Sequence, residues 1–129
     1  MGIFTKTKTV ADTTSPMENI LGRPIMMIDG IGCNLFVHEK CLVFDRTQGG
    51  LLNVGNRTYK IIPIKAIVSL QVKSTGALSG YLQVSTYAHD AVEIHGLNRV
   101  DDENTVNFNS EDSVRACQQV VDYLTPLIL

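Results

Sequence analysis

The run from Ile61 to Leu124 allows this chain few architectures. In Ala66 to Lys73, Val68, Leu70 and Val72 alternate with Ser69, Gln71 and Lys73, the period of two expected of a half-buried strand. Ser74 to Ser79 reads as a turn, after which Leu82 and Val84 alternate with Tyr81, Gln83 and Ser85. Val92 and Ile94 opposite Glu93 and His95 suggest a short strand, and Val106 and Phe108 point inward from the last one. Pro63 has no N–H to donate, so a strand should break there. The strands then give way to one amphipathic helix, expected over about 110–125. Asn109 or Ser110 suits its N-cap, and Glu111 and Asp112 favour the positive end of its dipole. Val114, Cys117, Val120, Val121 and Leu124 form one apolar stripe, and Pro126 is expected to end the helix. Short strands closed by one helix predict a mainly β (α+β) domain.

The first half adds a hairpin. Cys33 to His38 and Cys41 to Arg46 are two strand-like runs separated only by Glu39 and Lys40. Glycines and asparagines between Gln48 and Asn56 mark a long loop before Tyr59. Residues 1–24, with Thr-Lys-Thr-Lys-Thr and Thr-Thr-Ser-Pro, read as a flexible N-terminal arm, with a short helical turn at Met17 to Leu21 that could dock its end. The domain itself is expected over 25–129.

A chain of 129 residues has room for one core. Its 44% hydrophobic and 19% charged residues are a globular balance rather than a disordered one. Its longest apolar runs fall far short of the ~20 residues that span a bilayer, and Met1 to Asn19 has no apolar stretch of the secretory-leader kind. Cys33, Cys41 and Cys117 are odd in number and sit within apolar patterns. They read as reduced core thiols, and with them a cytoplasmic location is expected.

The net charge of −2 is unevenly spread. From Arg23 to Lys73 seven basic residues (Arg23, Lys40, Arg46, Arg57, Lys60, Lys65, Lys73) outweigh three acids (Asp29, Glu39, Asp45), giving +4. From Ser74 onward Arg99 and Arg115 face eight acids (Asp90, Glu93, Asp101, Asp102, Glu103, Glu111, Asp112, Asp122), giving −6. Such a dipolar surface bears on association more than on fold.

Four segments together resemble the small bacterial pleckstrin-homology-like domains, a largely uncharacterised bacterial group. They are Gly30-Ile31-Gly32, Ile62-Pro63-Ile64-Lys65-Ala66-Ile67, Gly80-Tyr81-Leu82-Gln83-Val84 and Asp102-Glu103-Asn104-Thr105-Val106-Asn107-Phe108. The resemblance runs from about Ile28 to Tyr123; the long Tyr87–Asp102 loop and the N-terminal arm lie outside its pattern. It implies a seven-stranded barrel or sandwich of two near-orthogonal antiparallel sheets, capped by the C-terminal helix. It also implies a binding and scaffolding role without catalytic residues or cofactor. Function still has to be argued from a site.

The remaining motifs are thin on chemistry. His89 and His95 with Asp90 and Glu93 form a His/carboxylate cluster, but a flat strand face rarely converges the three or four ligands zinc needs. Asp101-Asp102-Glu103 lacks the ligand spacing and central glycine of an EF-hand loop. There is no Gly-x-Ser-x-Gly elbow. With no metal site or enzyme motif expected, the reading is a non-enzymatic protein-interaction or assembly module, bound to a protein partner or to its own copies. The alternative is a peripheral binder of an anionic lipid or small phosphorylated ligand. Its loop rim would be formed by His38, Lys40, Lys65 and Arg99, mixed with the acids at 101–103. Nucleic acid is not expected, since net charge is negative and basic residues do not interleave with aromatics.

Overall fold

The computed structural model describes residues 14–47, 58–74, 79–87 and 103–129. The expected Val92–Ile94 strand, the His89–His95 cluster, Arg57, Arg99, Asp101 and Asp102 lie outside them. The described chain forms two antiparallel sheets and one long C-terminal helix. A four-stranded meander holds β1 (Met26–Asp29), β2 (Asn34–Val37), β3 (Cys41–Asp45) and β4 (Tyr59–Pro63) in that order. A three-stranded one holds β5 (Ile67–Ser74), β6 (Gly80–Thr86) and β7 (Thr105–Phe108). A short α1 (Glu18–Leu21) precedes the first sheet and α2 (Glu111–Ile128) follows the second.

The hairpin expected around Glu39 and Lys40 forms as read. Val37 faces Leu42, and the His38 N–H donates to the Cys41 carbonyl at 2.9 Å, leaving Glu39 and Lys40 as the loop. Its strands are apolar almost throughout because both faces of this sheet are covered. Leu35, Val37, Leu42 and Phe44 turn to the main core with Ile28, Ile62, Leu82, Val106 and Leu124. Met27, Phe36, Cys41 and Val43 form a second apolar cluster on the opposite face, beneath Met17.

That second cluster reassigns the N-terminal segment. The helical turn expected to dock the arm's end forms as α1, and buried Ser15 with Met17 fixes the segment to the sheet, so the described residues ahead of residue 24 are not a free arm. The expected boundary at Pro24 falls inside the packed structure. Gly22, at φ 78°, lets the chain leave α1 through backbone space that other residues rarely enter.

The sheets meet where β1 ends. The Ile31 N–H donates to the Asn107 carbonyl at 2.7 Å, and a Cβ on Gly30 would lie 2.6 Å from that same oxygen. Only glycine fits so close an approach. At the opposite edge of the three-stranded sheet, β5 departs from its alternation. A bulge between Ile67 and Ser69 turns Val68 outward, and Val72 is 48% exposed although it pairs with buried Leu82. The burial expected of Val68 and Val72 is therefore not realised; Ile67 and Leu70 supply that strand's core contacts.

The helix begins where expected: Ser110 Oγ accepts the Ser113 N–H at 3.1 Å. Cys117, Val120 and Leu124 are buried, with Val114 and Val121 packed alongside. Ser113 Oγ donates to the Asp29 carbonyl at 2.7 Å, tying the first turn to the end of β1. The helix does not stop at Pro126 but runs to Ile128. A proline so near the end removes a single backbone donor, and the turn still closes through Leu129 N–H to the Thr125 carbonyl at 3.1 Å.

Candidate functional site

Two of the four residues expected at a common rim do come together. Pro63 ends β4, and a 3-10 turn, Ile64–Ala66, follows it. The Ile64 N–H donates to the Lys40 carbonyl at 2.9 Å, fastening that turn to the β2–β3 loop. Lys40 and Lys65 thus border one groove of about 510 Å3. Leu21 from the end of α1, Ile61, Pro63 and Ile64 from β4 and its turn, and Leu127 from the end of α2 make its apolar lining. Glu39 and Cys41 complete the wall. Leu21, Ile61 and Leu127 are 36%, 42% and 53% exposed, so the groove is open and oily between two ammonium groups. Neither lysine forms an ion pair with another described residue.

Of the other two, His38 does not join it. His38 is 1% exposed, and its Nε2 lies 2.8 Å from Ser15 Oγ, under the N-terminal segment rather than on a rim. Burial pushes its pKa below the usual 6.5, opposed in part by the Glu18 carboxylate and the Gly22 carbonyl. A buried neutral imidazole is a poor anion ligand. Arg99 lies outside the described residues.

Of the acids expected on the same rim, Glu103 is among the described residues. Glu103 sits at the far end of the β3–β4 pair, where its carboxylate meets Lys60 Nζ at 2.6 Å. Its carbonyl accepts from Arg46 at 3.1 Å. Cys41 pairs with Pro63 beside the groove and Asp45 with Tyr59 at the other end. At ~3.3 Å per residue the two ends are about 13 Å apart. Glu103 therefore does not neutralise the Lys40–Lys65 groove.

The thiols are held in the unreactive form. Burial pushes Cys33 up to about 11 despite the nearby Arg46 guanidinium, and Cys117 up to about 11 as well. Cys41 is raised too, for the same reason. Among the described residues no three His, Cys, Asp or Glu side chains are grouped as metal ligands. The apolar floor between the lysines was not anticipated, because Leu21, Ile61 and Leu127 come from three separate elements. Their only trace in the sequence is apolar residues at places where helices end and an edge strand faces outward.

No family model, curated protein or solved structure matches this chain.

Proposed function

We propose that this protein is a non-enzymatic protein-interaction module whose Lys40–Lys65 groove takes an amphipathic, acidic segment of a protein partner. The observation that carries the reading is the juxtaposition of an apolar floor (Leu21, Ile61, Ile64, Leu127) with a border of two lysines against the single carboxylate of Glu39. An apolar helix face would fill the floor, and flanking carboxylates would meet Lys40 and Lys65. The four-plus-three strand order followed by a C-terminal helix supports a pleckstrin-homology-like arrangement. The buried, protonated thiols are in keeping with a reducing, cytoplasmic setting and with a role other than nucleophilic catalysis. A second copy, offering its own acidic half, is the homo-oligomeric form of the same reading.

The test uses a labelled model peptide with leucines on one helical face and glutamates flanking them, against the same peptide carrying lysines. Fluorescence anisotropy should show saturable binding of the acidic peptide, weakened by salt and by Lys40→Glu/Lys65→Glu, and lost in Ile61→Asp. Equal binding of both peptides, or none, overturns the reading. Light scattering across protein concentration and at two salt concentrations decides the self-association form; a monomer throughout removes it.

The same lysine pair above an apolar floor supports one further reading, a peripheral site for an anionic lipid. Cosedimentation with phosphatidylserine vesicles, abolished by Lys40→Ala/Lys65→Ala while the acidic peptide does not bind, would replace the first reading with this one.

A further inference from the structure

A second cavity of about 300 Å3 lies between the N-terminal segment and the end of β3, away from the groove. Ser15, Glu18, Asn19, Asp45 and Thr47 are among the residues that line it. Asp45 is 2% exposed, on the face of the sheet that carries Val43 and Cys41. Its Oδ1 accepts both the Thr47 N–H at 2.8 Å and the Thr47 hydroxyl at 2.6 Å. Its Oδ2, enclosed just as fully, has no hydrogen-bond partner. The adjacent Arg46 does not serve it, since its guanidinium donates to the carbonyl oxygens of Glu103 and Thr105 at 3.1 and 2.9 Å. A buried carboxylate normally has a cation or a full set of donors, and this one has half a set.

The walls indicate what is missing. Asp45 and Glu18 carry negative charge, that of Glu18 shared with Arg23 Nε at 3.6 Å, and the walls add the oxygens of Asn19, Thr47 and Ser15, the two hydroxyls already engaged with Asp45, His38 and Met17. The complement is a cation that donates hydrogen bonds. A bare metal ion suits the site poorly, because no trio of His, Cys, Asp or Glu is grouped among the described residues. The volume is far larger than an ion needs and sits at the lower end of small-molecule pockets. We propose that this cavity binds a small organic ammonium ion, with Asp45 as its buried counter-ion. Because Ser15, Glu18 and Asn19 come from the N-terminal segment, an occupant would also clamp that segment to the sheet.

The full-length chain is titrated with 1,4-diaminobutane by calorimetry, with 1-butanol and with sodium chloride at matched ionic strength as controls. Saturable binding of the diamine alone is expected, with slower amide exchange across residues 14–21 when it is bound. Asp45→Asn keeps the Oδ1 acceptor for Thr47 and should weaken binding at least about tenfold, the loss of one charge-assisted hydrogen bond. Glu18→Gln, at the more exposed wall, should weaken it less, and it decides the matter if Asp45→Asn does not fold. Failure of the diamine to bind, unchanged affinity in the variant that folds, or saturable binding of calcium in place of the diamine would each overturn the proposal.

Discussion

Ser15 Oγ and His38 Nε2 lie 2.8 Å apart in a buried hydrogen bond that joins the segment before α1 to the β2–β3 hairpin. The same hydroxyl accepts the Met17 N–H at 3.3 Å, which sets Met17 over the second apolar cluster.

This pair should make the docking of the N-terminal segment sensitive to acid. The folded chain holds His38 below its ordinary 6.5, so between the folded and unfolded values the unfolded chain binds the proton more readily. The stability His38 supports is complete above about pH 6.5 and drains away as the pH falls below it. Thermal unfolding of the parent should lose more between about pH 7.5 and 5.5 than that of His38→Gln, which does not titrate. Parallel curves would show that His38 is not the sensitive group. At neutral pH, Ser15→Ala should cost about 1–2 kcal/mol in denaturant unfolding.

Gly30 sets how closely the two sheets approach. Gly30→Ala places a methyl group against the Cys33 carbonyl of its own loop as well as the Val106 side chain and the Asn107 carbonyl, and overpacking of this kind costs about 1–3 kcal/mol. Chemical denaturation should show a lower midpoint at an unchanged slope. A midpoint equal to the parent's would mean that the β1–β2 loop and β7 both yield to the methyl group without penalty.

Arg46 bridges β3 to the chain entering β7, using two nitrogens on two backbone carbonyls. Lysine offers a single ammonium and cannot reproduce that fork. Arg46→Lys should therefore destabilise by roughly 1–3 kcal/mol, the cost of leaving a buried acceptor unsatisfied. Hydrogen exchange should report the loss first at the amides around Asn104 and Thr105.

The native protein should be nearly inert to thiol reagents. With Cys33 and Cys117 at about 11, almost none of either is thiolate near pH 8, and both are enclosed. Ellman's reagent should titrate three thiols in denaturant and react slowly, if at all, in buffer. Cys41, at the wall of the groove, is the one expected to react first when the protein breathes.

Much of this architecture was legible because local signals agreed with the fold. The Glu39–Lys40 loop is bounded by two apolar runs, the strands with Leu82–Val84 and Val106–Phe108 alternate cleanly, and Ser110 stands where the helical stripe begins. Sequence pattern and structure part where tertiary contacts decide. Val68 alternates correctly with Ser69, but a bulge removes it from the pattern, and no residue type there announces one. Pro126 is a helix breaker only when a further turn's bonds depend on it. His38 sits at the hairpin's polar end, and only the docked Ser15 makes it internal. Asp45 ends an apolar run, which is the ordinary place for a charge to meet water; the covering segment that buries it comes from far away in sequence.

The doubly covered sheet has a practical corollary. Ile25 looks like a natural place to begin a minimal fragment, since the strands start just beyond it. A fragment cut there would bare Met27, Phe36, Cys41 and Val43 in one patch and strip Ser15 from His38. Its failure to stay dispersed would reflect a missing lid on the outer face rather than a defective core.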